Sequence, residues 1–256
     1  MAIGMGIYQG VNPSMGWLLA VGNGLQTHSN RAVTNTVWKV AFGHFLSMAG
    51  LMIPIGLVLL LVVAVLDMPK TAFFHILLWW NVLLVVFGGY KLLVSRHPRF
   101  ISRIPSNSPL KWSFFMSMTH CGSWLMMTPM AIHLFMHNSA PGMEISTASL
   151  LSFTLLYALV TIVISLLMGI PLFLVSLSIA HKVYNKLGLR ALGKYWINFD
   201  IGWALMFIIM GVIGLMKNPY MEIISSPGYV LILALISLTV ARPLKRLGGF
   251  VVSRYQ

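Results

Sequence analysis

Acidic side chains are nearly absent from this sequence. Its 256 residues hold 4 Asp and Glu against 17 Lys and Arg, and charged residues of both signs make up only 8%. A soluble domain carries about 25%, so the chain cannot clothe a core in a water-facing surface of the usual kind. Cysteine is just as scarce: the single residue, Cys121, excludes an internal disulfide framework and any paired-cysteine zinc motif. Gly-x-Ser-x-Gly and His-Glu-x-x-His do not occur, and no nucleophile–base or two-carboxylate pattern replaces them. The sequence therefore predicts no enzyme. No basic segment precedes the first apolar run, so no cleaved signal peptide is expected.

What is present is apolar. Hydrophobic residues make up 58% of the chain, mean hydropathy is +0.87, and several uncharged runs exceed the ~18 residues that mark a transmembrane helix. They predict an all-α polytopic membrane helix bundle of about seven spans in one domain, residues 1–256. The first span, Met1 to Gln26, is interrupted by Gly4, Gly6, Gly10, Asn12, Pro13 and Gly16. Ser14 to Gln26 reads as its helical part and the preceding residues as a broken or re-entrant lead-in. Thr27 to Lys39 reads as a polar connection. Val40 to Leu66, Thr71 to Val94, Trp112 to Met136, Ala148 to Ala180 and Tyr195 to Met216 follow as spans two to six. Residues 228–240 make a short extra span of ~20 Å at 1.5 Å per residue. Trp79 and Trp80 are expected to pack between helices, and Gly88-Gly89 and Gly211-x-x-Gly214 to allow close helix approach.

The net charge of +13 has a topological explanation. With seven spans, 15 of the 17 Lys and Arg fall on one side of the membrane; only Lys70 and Lys217 fall on the other. The positive-inside rule then puts the N-terminus outside and the C-terminus in the cytoplasm. The expected partner is the lipid bilayer of a prokaryotic plasma membrane. No soluble basic domain remains to bind nucleic acid.

Ile53-Pro54-Ile55-Gly56-Leu57-Val58 resembles Ile170-Pro171-Leu172-Phe173-Leu174-Val175 at an offset of 117 residues, and the same offset places Trp79 on Trp196 and Asn81 on Asn198. Residues 1–94 and 112–216 thus read as two three-span repeats. With three spans each, they would insert in opposite directions, a recurrent transporter design with its site at the midplane.

The candidate site residues are the polar and soft groups at membrane depth, where they are costly unless functional. His44 and Met48 share a helix face in span two, and Met116 and His120 share one in span four; Cys121 follows His120. Imidazole, thioether and thiolate together suit a soft or borderline cation such as copper or another transition-metal ion. The competing reading is packing, for the chain has 18 Met and Met fills irregular gaps well. Asp200, the carboxylate inside a span, with Asn198 and the repeat-related Asn81, completes the candidate transport pathway.

The run Gly24-Leu25-Gln26-Thr27-His28-Ser29-Asn30-Arg31-Ala32-Val33, then Gly43-His44-Phe45-Leu46-Ser47, resembles the opening of small prokaryotic membrane proteins of the LysE/NicO-type exporter superfamily. Arg96-His97-Pro98-Arg99, Trp112-Ser113-Phe114 and the His120 region resemble its second half. The resemblance implies a three-plus-three core, with His44 and His120 in intramembrane histidine motifs. The His-rich loop and acidic partners of NicO-type metal exporters have no counterpart here. The expected function is a secondary exporter of a small cation or cationic solute. The alternative is a non-transporting subunit of a larger copper or redox membrane complex, or a homo-oligomer.

Overall fold

In the computed structural model, residues 1–65, 70–93, 108–138, 150–187 and 199–216 are described. Regular structure among them is entirely helical. The elements are α1 (Ala2–Val11), α2 (Trp17–Thr27), α3 (Asn30–Val65), α4 (Lys70–Leu93), α5 (Pro109–Met116), α6 (Ser123–Asn138), α7 (Leu150–Lys182) and α8 (Phe199–Met216). A 3₁₀ turn at Pro13–Met15 separates α1 from α2. Two π-helical segments occur, Ser117–Cys121 between α5 and α6, and Val183–Leu187 after α7.

The glycine-rich N-terminus is more regular than its composition implied. Residues expected as a broken lead-in form α1, and the interruption is confined to Asn12 to Gly16, where Gly16 takes φ 106°. Gly6 and Gly10 do not break the helix. They lie one turn apart against α7, where a methyl on Gly6 would overlap the Met168 carbonyl and one on Gly10 would lie 3.0 Å from the Leu172 oxygen. Glycine's missing side chain is used here for close approach, not for flexibility.

The polar stretch expected as a connection is also mostly helical: α3 starts at Asn30, leaving two residues between α2 and α3. His28 closes α2 in the left-handed region (φ 50°), and the Ser29 amide returns to the Gly24 carbonyl. Ser29 Oγ then accepts from the Ala32 amide at 3.4 Å, which caps α3. The polar side chains of this first stretch serve neighbouring helices. Asn23 Nδ2 donates to Thr36 Oγ1 at 3.2 Å, and Thr34 Oγ1 meets His181 Nε2 of α7 at 2.9 Å.

The helices pack in consistent directions. Trp38 meets Phe173, and Tyr157 Oη donates to the Met52 carbonyl at 2.9 Å, so α3 and α7 run antiparallel. Gly88 abuts Ala204 and Gly211 abuts Asn81, so α4 and α8 also run antiparallel, with glycine at the closest points as expected. The pairs Gly6–Met168 and Gly10–Leu172 set α1 parallel to α7. Ser113–Val40 and Ser117–His44 set α5 parallel to α3.

The central cluster is dense in methionine. Met5, Met48, Met52, Met127 and Met168 are all at most 1% exposed, and Tyr157, Trp203 and Phe207 pack among them. The periphery is equally apolar. Leu155, Leu159, Leu166, Ile170 and Leu174 point outward along α7, and Leu83, Val86, Tyr90 and Leu93 along α4. Trp79 belongs to this outer face at 70% exposure, contrary to the expectation that it packs between helices. Trp80, one residue on, turns inward and donates to the Leu125 carbonyl at 2.6 Å. Among the described residues, two helices, Asn30–Leu59 and Thr154–Lys186, are long and apolar enough to cross a membrane, and Leu78–Leu93 and Ile201–Met216 are shorter apolar helices. The short span at 228–240 lies outside the described residues.

Candidate functional site

The fourth span was expected as one helix and is instead broken in its middle. After α5 the chain widens into a π turn at Ser117–Cys121, and Gly122 then adopts φ 58° before α6 begins. Backbone groups released by such a break must find partners where no water reaches them. The Met118 carbonyl accepts from Trp124 Nε1 at 3.0 Å, and the Leu125 carbonyl, which Pro129 deprives of its helical donor, accepts from Trp80 Nε1 at 2.6 Å. Two indoles thus satisfy carbonyls on either side of Gly122. A side chain at Gly122 would run into Phe87 of α4, 2.5 Å away, and Phe207 of α8, 3.1 Å away. These two rings meet edge to face at 5.1 Å and close the break from that side.

From the other side α3 reaches the break through a glycine contact. A Cβ on Gly43 would lie 2.5 Å from the Leu110 carbonyl oxygen and 3.1 Å from Ser113 Cβ. With no Cβ there, Ser113 Oγ donates to the Val40 carbonyl at 2.6 Å. One turn along both helices, His44 Nδ1 is hydrogen-bonded to Ser117 Oγ. The Ser117 hydroxyl donates to Nδ1 in one imidazole tautomer and accepts from it in the other. His44 is fully buried, and its second ring nitrogen, Nε2, has no partner among the described residues. Ser47, on the same face of α3, and Ser123, just past the break, are also buried with hydroxyls unpartnered among the described residues. A buried polar group left unsatisfied costs about 1–3 kcal/mol, so each of these requires an account.

Of the residues singled out from sequence, His44, Met48 and Met116 are buried, the two methionines at 1% exposure, and Met48 belongs to the central cluster. His120 and Cys121 form the last turn of the π segment, immediately before Gly122. Their side chains lie outside the described set, as does that of Asp200 in the first turn of α8; Asn198 lies outside the described residues altogether. The expected shared face of Met116 and His120 assumed α-helical spacing, and the π turn between them changes that spacing. Asn81 is buried with its side-chain oxygen unpartnered among the described residues, on the α4–α8 contact and not on the His44 seam. No group of three or more His, Cys, Asp or Glu that could hold a metal occurs among the described residues.

Sequence reasoning missed Ser113 and Ser117, the side chains that join α5 to α3. Their spacing of four within an apolar run was the available signal: it places two hydroxyls on one helix face at depth. It also missed Gln9 of α1, which is 1% exposed with both amide atoms unpartnered among the described residues. Comparison with protein-family models, curated proteins and solved structures yields no match.

Proposed function

We propose that the chain is an integral membrane protein that exports a small cation or cationic solute, with the His44–Ser117 seam at the break of the fourth span as part of its path. The observation that carries this reading is its inverted polarity. Leucine, valine and isoleucine line the outer faces of α4 and α7, while His44, Ser47, Asn81, Ser113, Ser117 and Ser123 are buried. A water-soluble protein exposing so much contiguous apolar surface would aggregate. In lipid that surface is solvated, and the buried polar groups become the costly ones whose retention points to function.

The inverted repeat belongs to this proposal. Exchanging the halves at an offset of 117 converts Gly6–Met168 into Ser123–Leu51 and Gly10–Leu172 into Met127–Ile55. The contacts found on the corresponding seam, Val40–Ser113 and His44–Ser117, follow that register to within one residue. Antiparallel pairing of α3 with α7 and of α4 with α8 is what two halves inserted in opposite directions require. Residues 1–94 and 112–216 would then rock about the central cluster. The buried thioethers of Met48 on α3 and Met116 on α5, the helices that carry the seam, favour a soft or borderline cation as cargo, and Asp200 and His120 are the proposed proton- or cation-handling partners. The basic loops set the N-terminus outside and the C-terminus in the cytoplasm.

Reconstitution into vesicles tests this. Efflux of Cu(I), Ni(II) or lysine is followed for the parent chain and for His44→Ala. Transport of at least one, abolished in a His44→Ala variant that inserts and elutes as the parent does, is the expected result. No flux of any cation, with stoichiometric co-purification of other membrane subunits, would replace the exporter with the complex-subunit reading.

A further inference from the structure

Among the described residues, the outer edge of the α3–α7 contact is not closed. Between the helices lies a cleft of about 220 Å³, walled by Trp38, Phe42 and Phe45 of α3 and by Ile170 and Phe173 of α7. Its aromatic rings are ordered against one another: Trp38 stacks on Phe42 at 6.0 Å and meets Phe173 edge-on at 5.7 Å. Gly169 keeps the floor open, since a Cβ there would touch only the Phe45 Cβ, at 4.0 Å. The cleft does not continue the Met-rich core and has almost no polar lining.

One end of it changes character. Thr34 lies one turn before Trp38, and its hydroxyl meets His181 Nε2 at 2.9 Å; His181 Nδ1 in turn meets Asn30 Oδ1 at 3.2 Å. Arg31 is exposed and stands seven residues before Trp38, so two helical turns bring it onto the same stripe of α3. No carboxylate side chain lies among the described residues to neutralise it. An aromatic, apolar cleft therefore runs into an end carrying a guanidinium, a hydroxyl and an imidazole.

We propose that this cleft binds one anionic phospholipid, with an acyl chain between Trp38 and Phe173 and the phosphate at the Arg31–Thr34–His181 end. The inference rests on the membrane reading above. Within a bilayer the apolar part cannot select, because any lipid tail is as apolar as the side chains it meets. Selection comes from the charged end, where a guanidinium can engage phosphate oxygens in a bidentate pair. The positive-inside arrangement puts that end at the cytoplasmic leaflet, the leaflet rich in anionic lipids.

Trp38 reports on its own site. Fluorescence quenching is measured in vesicles containing brominated phosphatidylglycerol or brominated phosphatidylcholine, and the Trp38 signal is taken as the difference between the parent and Trp38→Phe. Several-fold stronger quenching of Trp38 by the brominated anionic lipid is expected. Arg31→Gln should equalise the two lipids, and Gly169→Leu, which fills the cleft, should weaken quenching by both. Equal quenching in the parent, or a preference that survives Arg31→Gln, overturns the site while leaving the membrane reading intact. Quenching of the other tryptophans but not of Trp38 means that a second copy of the chain covers the cleft, and also overturns it. If neither lipid quenches any tryptophan, the membrane reading itself has failed.

Discussion

Two seams of this molecule are built alike and filled differently. Where α1 meets α7, Gly6 and Gly10 bring the backbones together and carbonyls of α7 face bare glycine. A side-chain hydrogen bond, Ser176 Oγ to the Gly10 carbonyl at 3.2 Å, ties α7 to the α1 backbone. Where α3 meets α5, Gly43 gives the same close approach, and Ser113 to the Val40 carbonyl is the same kind of tie. One turn further on, however, the second seam places a histidine, with one ring nitrogen bonded to Ser117 and the other without a partner among the described residues. The imidazole is an addition to the glycine contact, and the proposed function gives it a role there.

The comparison can be broken at its strongest point. Gly6→Ala forces a methyl onto the Met168 carbonyl, which is backbone and cannot rotate away. We expect the largest loss of the series, about 3 kcal/mol at the upper end of overpacking penalties, read as a fall in melting temperature in detergent. Gly43→Ala should cost about 1–3 kcal/mol by the same mechanism, and should also impair transport by displacing His44 from Ser117. If Gly43→Ala lowers stability as expected and leaves transport intact, the seam is structural only.

Finer changes sharpen the contrast. Ser117→Ala strands both ring nitrogens of His44 in a buried site, for a loss of about 1–3 kcal/mol together with reduced flux. Ser113→Ala removes only the tie to the Val40 carbonyl, which α3 already bonds within its own helix. About 1 kcal/mol and near-normal flux are expected, so equal transport defects in the two serine variants would dissolve the distinction between them. The smallest effect belongs to Gly50, exposed on α3 with nothing within 4 Å of an added Cβ. Gly50→Ala should raise helix stability by up to about 1 kcal/mol without altering transport.

Much of the helical layout was legible because length and apolarity alone specify it. Spans three and five, from Thr71 and from Ala148, lie within two residues of α4 and α7 at both ends. The errors share a cause: composition does not say which partner a residue has. Gly6 and Gly10 read as breakers because nothing in the sequence placed α7 beside them. Asn30, Thr34 and Thr36 read as a loop because their polarity is spent on His181 and Asn23 across the helix contacts. Within the site, His44 was found by its rarity at depth, while Ser117 was passed over because serine in an apolar helix commonly bonds its own backbone. The break at Gly122 was hidden for a further reason. It depends on packing across the fold, where Gly122 fits against Phe87 of α4 and Phe207 of α8, both distant in sequence.

The claim that the polar seam is wet at some stage of a transport cycle while the outer face of α7 lies in lipid is most directly tested by cysteine accessibility. In a Cys121→Ser background, single cysteines replace Ser47 on the seam and Leu166 on the outer face. The account predicts that a small, water-soluble methanethiosulfonate modifies the cysteine at position 47, more slowly when a transported cation is present, and spares position 166, which reacts only with a lipid-soluble maleimide. Rapid modification at 166 by the water-soluble reagent, with position 47 inert under all conditions, would show a dry core and a wet exterior, and would contradict the account at its centre.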